Sequence, residues 1–499
     1  MDITPEDQFA GRDVSFALSG LPPWLPVTVS FIDPHGIAAS WITTEDVRLV
    51  DRDGAEATYF IMYPDASGEL DWERYAIQDE AGDWSVDIDL DGNVSSIAYA
   101  LDEMPLFGQD TVSIGEDLSK NSGPDFAVYY SDSVPAALVV DLQDHLSDSA
   151  VLMEQRTGIA TNQLPDLYLM GDREIMERVG VATGIQLGFE DGYYKSFGAR
   201  PGIYMRTDLQ STQVRRLLVH EYVHLIFDAL ANERTLPAWL TEGLSVYYEF
   251  DITLSGPRAN ASQRQQFRAA DLARAAAQQG TLFSLIDLDS QADWNARSGD
   301  DQIALQYAEA YMAVRYLNET YDLLSGKRAV EEIGRGSGLR SAIETVTGSE
   351  FDSFEPQFRR WLADWEDPTR ASIAEYLAAF GPVLADLEAI LTQRSKNAAD
   401  PVFAGQAAIR RVALVNSTEA VIVRLQGLSP PEGTLALHQE AEGYFGRVFD
   451  WLTLEFQHAD TLDDSKRIAA NDMIPEINTR EFLLQRSMSD LQFVLHLRD

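Results

Sequence analysis

Five consecutive residues, His220-Glu221-Tyr222-Val223-His224, carry the types and spacing that most clearly imply chemistry in this chain. A carboxylate follows after seventeen intervening residues, Glu242 in Trp239-Leu-Thr-Glu-Gly. On a helix, positions i and i+4 project from one face, so His220 and His224 can offer two imidazoles to a single divalent cation. Glu221 is displaced sideways, which sets its carboxylate beside the cation's open position rather than on the cation. Glu242 opens a second stretch of helical character and supplies a third ligand. Two histidines, one glutamate and a water form an open, reactive zinc arrangement, not a closed structural one. Val214, Leu217, Leu218 and Val219 lead into the motif and Leu225, Ile226 and Leu230 follow it, so the helix reads as mostly buried. Polar groups there are costly to desolvate without partners, and a cation supplies one. The competing reading is a pair of hydrogen-bonded core histidines with no metal.

The same residues resemble the gluzincin metallopeptidases, in particular the bacterial peptidase MA-like group and, more distantly, the alanyl-aminopeptidase family. That family places its glutamate ligand in a Trp-Leu-x-Glu-Gly context one residue further from the second histidine than here. The resemblance implies an α+β, thermolysin-like catalytic domain binding one Zn²⁺ per chain through His220, His224 and Glu242, with Glu221 as the proton-transferring base. It implies that Glu249, seven residues after Glu242, supports a histidine ligand from behind, with Asp228 as a rival for that role. A helical pattern runs from Tyr307 through Tyr311 and Arg315 to Leu317 and is similar to the family's tyrosine-bearing helix. Carried over, the transition-state donor is Tyr307, with Tyr311 the competitor; Tyr316 reads as core and Arg315 as a salt-bridge partner of nearby acids. In the family, the strand nearest the zinc helix pairs with substrate backbone, a role this assigns to Gly202, Ile203, Tyr204 and Met205, with Tyr311 as a further contact. Aminopeptidase relatives place a glutamate there that holds the substrate's free amine. The segment Gly198-Ala-Arg-Pro-Gly-Ile-Tyr has none, which favours an endopeptidase. The alternative is a catalytically silent gluzincin-fold scaffolding protein that still binds zinc. A third class is zinc-assisted hydrolysis of a non-peptide ester or epoxide.

Composition sets the frame. With 499 residues, the chain is long enough for about three domains. It has no cysteine, so disulfides and thiolate chemistry are excluded. The net charge of −42 excludes nucleic acid and anionic membranes as partners, since both require cationic surfaces. The expected partner is a peptide or protein substrate. Lysine is confined to Lys120, Lys195, Lys327, Lys396 and Lys466. An acid-rich, lysine-poor surface suits either a saline habitat, where added salt stabilises, or a merely acidic soluble protein. No stretch has the eighteen or so apolar residues of a membrane span. Met1-Asp-Ile-Thr-Pro-Glu-Asp lacks the basic and apolar regions of a signal peptide. Accessory β domains on zinc peptidases suit export, so the expected location is extracellular or cell-surface with a signal already removed; the alternative is cytoplasmic.

Three parts are expected. Residues 1–120 contain short alternating segments, such as Val27–Phe31, Thr58–Met62 and Trp84–Leu90, broken by Asp53-Gly54 and Asp91-Gly92. This is the pattern of an all-β, immunoglobulin-like sandwich. Asp87, Asp89 and Asp91 echo a calcium loop, but alternate with inward Trp84, Val86, Ile88 and Leu90 and read as a solvated strand face. Residues 121–368 hold the catalytic domain, with strands at Phe126–Tyr130, Leu167–Met170 and Gly202–Arg206, a helix over 133–158, and a surface hairpin or flap around Asp191–Ser196. Residues 369–499 form an α-helical bundle with helices over 371–395, 402–427, 432–459 and 464–497. His35, His145, His438, His458 and His496 lack ligand spacing and read as surface or cap residues.

Overall fold

A computed structural model describes residues 2–4, 8–40, 57–74, 79–106, 110–161, 163–185, 187–195, 200–232, 234–256, 259–399 and 404–497. The Asp53-Gly54 turn and residues 196–199 lie outside these spans.

The N-terminal part is β-rich. Strands β1 (Asp2–Thr4), β2 (Val14–Leu18) and β5 (Leu70–Arg74) form one antiparallel sheet. Strands β4 (Tyr59–Met62), β3 (Val27–Ile32), β6 (Gly82–Leu90) and β7 (Asn93–Leu101) form a second, in that order. Both bury alternate residues in one core that includes Phe16, Phe31, Trp72, Trp84, Val86 and Tyr99. The β6–β7 hairpin turns at Asp91-Gly92, both at positive φ (52° and 82°), a conformation that favours glycine. Asp89 caps this turn by accepting from the Gly92 amide at 2.7 Å.

The central part is built on a six-stranded sheet, order β12-β13-β11-β10-β9-β8. Its strands are β8 (Thr111–Ser113), β9 (Asp117–Ser122), β10 (Ala127–Tyr130), β11 (Asp166–Met170), β12 (Gly192–Lys195) and β13 (Gly202–Arg206). The boundary expected at residue 120 is corrected by this pairing, because β8 and β9 are hydrogen-bonded into the sheet of β10. Helix α1 (Ala136–Thr157) links the parallel pair β10–β11, and α2 (Arg173–Thr183) lies between the parallel strands β11 and β13. Parallel neighbours need such crossovers. Asp172 caps α2 by accepting from the Ile175 amide at 2.8 Å. Helices α3 (Ser211–Leu230), α4 (Ala238–Thr253), α5 (Ala259–Gln279), α6 (Gln291–Asn295) and α7 (Asp300–Thr320) then pack against the sheet and one another, followed by α8 (Ser325–Gly334), α9 (Leu339–Thr347) and α10 (Phe351–Asp364). α3 is buried on almost every side from Leu218 to Phe227, as a central helix must be.

Helices α11 (Pro368–Ala399), α12 (Ala404–Gln426), α13 (Leu435–Thr461), α14 (Asp464–Asp472) and α15 (Ile474–Val494) share a second helical core, which also takes in Phe267 of α5. The helix expected over 464–497 is broken at Met473, so it is two helices, α14 and α15. α15 ties the chain's ends together: Thr479 Oγ1 donates to the Trp24 carbonyl at 2.8 Å, and Arg480 lies over the Trp24 ring at 4.5 Å. His438 is not a surface residue; it is 8% exposed, with Nδ1 2.9 Å from the Tyr376 hydroxyl between α11 and α13. No helix among the described residues is long and apolar enough to cross a membrane.

Candidate metal centre

Two helices bring the motif residues together as a ladder. Along α3, Arg216, His220 and His224 recur every four residues and share a face. Along α4, Glu242 and Glu249 lie seven residues, or two turns, apart on the face turned towards α3. Each α4 carboxylate spans two α3 rungs. Glu249 accepts from Arg216 Nε at 2.6 Å through one oxygen and lies 3.2 Å from His220 Nδ1 with the other. Glu242 Oε2 lies 3.2 Å from His220 Nε2 and 3.4 Å from His224 Nε2. Thr241, beside Glu242, places its hydroxyl 3.0 Å from His224 Nδ1.

The donor set fits a metal ion. With each Nδ1–H donating to its oxygen partner, both Nε2 atoms present lone pairs to each other across 3.1 Å. Glu242 Oε2 then adds a third electron-rich atom to the same point. The three ligand atoms all lie within 4.8 Å of one another, and all three residues are buried. Such a convergence is repulsive unless a cation fills it. The electrostatics agree. Burial works against a charged imidazole, but Glu242 and Glu249 outweigh it and carry His220 up to about 10. Burial likewise works against the Glu242 carboxylate, yet the two histidines hold it down at about 2. The pocket stabilises positive charge at the place where the ligand atoms meet.

Glu221 is 6% exposed, and its carboxylate lies against β12, close enough to His220, His224 and Glu242 to feel their charges. Burial raises its pKa. The neighbouring edge strand is what places it. A Cβ on Gly192 would stand 3.2 Å from Glu221 Oε1 and 3.1 Å from Leu217 Cδ1, so the backbone of β12 passes directly over the carboxylate. Gly192→Ala is therefore expected to leave metal content unchanged and to lower turnover about tenfold, by pushing Glu221 a few tenths of an ångström out of line. Unchanged turnover in a folded Gly192→Ala variant would show that β12 does not set the position of Glu221.

The expected pairing strand, Gly202–Met205, is corrected by the sheet. β13 is bonded to β11 on one side and β12 on the other, and Ile203 and Met205 are 0% exposed. Its main-chain groups are used up, so among the described residues the edge of this sheet next to α3 is that of β12. Tyr194 of β12 also stacks on His224, with centroids 5.8 Å apart. Residues 192–195 of the expected flap are thus a strand of the sheet.

The two tyrosine candidates separate clearly. Tyr307 lies with its ring 6.1 Å from that of His220 and is held edge-on by buried Trp294 at 5.0 Å. Burial raises its pKa well above the ordinary value, with Glu242 and Glu221 adding to the shift. Tyr311, expected as a competitor and substrate contact, is corrected. It is 1% exposed, accepts from Arg315 Nη1 at 2.9 Å, and packs on Phe250 at 5.2 Å. Its ring is taken up by Phe250 of α4 and its hydroxyl by Arg315, so it belongs to the core between α4 and α7 and not to the metal group. Arg315 pairs with Asp367 at 3.1 Å and with Glu319, as the acid-rich surroundings led one to expect. Gly243 allows α7 to approach at all, since a Cβ there would lie 2.3 Å from the Ala310 carbonyl oxygen. Between the two rivals for the supporting carboxylate, Glu249 is the one on His220, whereas the charge of Asp228 acts on Tyr194.

Three residues of this region were not read from the sequence: Arg216, Thr241 and Glu190. Arg216 had a signal, its four-residue offset from His220. Glu190 had none, because it arrives from the loop before β12. Its carboxylate is held by the Gly188 amide at 2.5 Å and Asn295 Nδ2 at 3.0 Å, and its charge contributes to the raised pKa values of Glu221 and Tyr307.

Residues 203–364 match the family model described as the Peptidase MA superfamily. That segment is similar to the superfamily. That span contains α3, α4 and α7, and so all three ligand candidates with Glu221, Glu249 and Tyr307; Glu190 and β12 precede it. No curated protein matches the chain. Among solved structures, native yeast LTA4 hydrolase is similar at 10% identity, covering 96% of this chain and 92% of that one, with a TM-score of 0.30. Yeast LTA4 hydrolase in complex with Bestatin is similar at 11% identity over the same shares, with a TM-score of 0.28.

Proposed function

We propose that the chain is a zinc-dependent peptidase in which His220, His224 and Glu242 hold one zinc ion. The observation that carries this reading is the meeting of three ligand atoms beside a buried carboxylate, Glu221, that is not one of them. A zinc ion bound there supplies Lewis acidity, acidifying a water and polarising a carbonyl. Glu221 accepts the proton of the water that attacks the peptide carbonyl, and burial makes it the stronger base. It then gives that proton to the leaving amine. Tyr307 keeps its proton across the working range and donates it as a hydrogen bond to the developing oxyanion. The free edge of β12 receives the substrate backbone. Tyr307→Phe is expected to lower kcat about a hundredfold with little change in KM, the size of one lost oxyanion donor; an equal loss confined to KM would move Tyr307 to substrate binding.

The test is cleavage of a quenched peptide or casein, abolished by phenanthroline and restored by added Zn²⁺. A purified chain that binds zinc stoichiometrically and cleaves no peptide supports the silent scaffold instead.

The absence of a glutamate in the stretch before β13 favours an endopeptidase. A second reading, aminopeptidase, is favoured by Glu190. Its carboxylate stands at the head of the edge strand, near Glu221 and Tyr307, where an acid suits a substrate's free amine. Peptides with free and acetylated N-termini decide between them. An endopeptidase cleaves both, whereas an aminopeptidase loses the acetylated substrate, and Glu190→Gln then raises KM for the free one.

A further inference from the structure

We propose that Arg216 is a positioning residue of the metal group, acting through Glu249 on His220. The inference rests on the zinc reading and goes beyond it. Arg216 takes one oxygen of Glu249, at 2.6 Å, and so leaves the other to face His220 Nδ1 at 3.2 Å. A carboxylate with both oxygens committed has one orientation, and the imidazole it holds has one orientation and one tautomer.

Charge supplies a second, independent argument. Glu221, Glu242 and Glu249 are 6%, 6% and 5% exposed. Three carboxylates that close and that dry are not offset by a divalent ion alone. The single charge of Arg216 brings the group and a divalent cation to neutrality. Arg216 is itself fixed from below, with its guanidinium 5.5 Å over the ring of Phe250, the residue after Glu249. It thereby locks α3 and α4 in register one turn above the ligands. Without it, Glu249 is a buried anion facing only an imidazole. Nothing then fixes the orientation of its carboxylate, and His220 loses its fixed acceptor. A planar fork that bonds an oxygen edge-on while stacking on an aromatic ring is a task for arginine more than for lysine.

The test measures zinc affinity by chelator competition, together with the visible spectrum of the Co²⁺-substituted protein and the melting temperature of the metal-free chain. Arg216→Met is expected to weaken zinc binding at least tenfold, within the range seen when a supporting group behind a ligand is lost. Arg216→Lys should recover part of that loss, and Arg216→Gln serves if the methionine variant does not fold. In a Glu249→Gln background, Arg216→Met should change affinity by less than about threefold, because its route to His220 has already been cut. An equal loss in both backgrounds would make Arg216 a merely structural residue, as would a fall in the melting temperature with affinity and cobalt spectrum unchanged. Wild-type chain that takes up no metal sinks the zinc reading and this inference with it, whereas wild-type uptake with unaltered Arg216 variants sinks this inference alone.

Discussion

Glu221→Gln binds zinc as the wild type does and loses between about a hundred- and ten-thousand-fold in peptide hydrolysis; that is the expected result, and its size is that of a general base removed. The substitution keeps volume and hydrogen-bonding shape in a site where Gly192 leaves no slack. Glu221 is not among the three residues whose ligand atoms converge, so metal uptake does not depend on its charge. The amide cannot accept a proton, so loss of turnover with metal retained isolates proton transfer from structure. Zinc content, melting temperature and kcat/KM measured on one preparation check all three parts. A zinc-loaded, folded Glu221→Gln variant with wild-type activity would remove the base from the mechanism and return the scaffold reading to first place.

The second large effect concerns stability rather than turnover. Glu309 of α7 is 0% exposed, accepts from the Phe283 amide at 2.9 Å through one oxygen, and has no partner for the other among the described residues. Burial raises its pKa to about 8, although the Phe283 amide and Arg359 pull the other way. The folded chain therefore holds a proton that the unfolded chain has lost. This group's contribution is fully present below its ordinary pKa of 4.5 and disappears as pH climbs through about 8. Glu309→Gln keeps an acceptor for the Phe283 amide and cannot ionise. It should match the wild type at about pH 5 and exceed it by up to about 4 kcal/mol at about pH 9, since each tenfold change in proton affinity between folded and unfolded chains is worth about 1.4 kcal/mol. Denaturant melts of both proteins at the two pH values measure the difference directly, with the charge of the remaining 79 of 80 acidic residues cancelling. A gap between variant and wild type that does not widen with pH would mean that Glu309 is already ionised in the fold.

The metal group was legible because its parts are local. His220 and His224 need only a helix to face one way, and Glu242 needs only a second helix opening where Pro237 allows one. The alternating residues of β2, β3 and β6 announced the β-rich N-terminal part in the same manner. The pairing role expected of Gly202–Met205 does not fit the sheet order, for a reason that lies outside local pattern. Gly202–Arg206 and Gly192–Lys195 are both short and both carry tyrosine, and only the hydrogen-bond ladder shows which of them is the edge. Likewise, β8 and β9 look like more of the N-terminal strands until their pairing with β10 is seen.

Sequence alone singled out the three side chains that could hold an ion, since that follows from the period of a helix and the chemistry of imidazole and carboxylate. It also set the acidity of the molecule and the absence of thiol chemistry. The tertiary structure decided what surrounds those three side chains: Tyr307 over Tyr311, Glu249 and Thr241 behind the two rings, Arg216 behind Glu249, and Glu190 near Glu221. These neighbours come from separate elements, α3, α4, α7 and the loop before β12. Their meeting depends on how closely helices and sheet pack, down to one missing methyl group at Gly243, and spacing along the chain does not encode that.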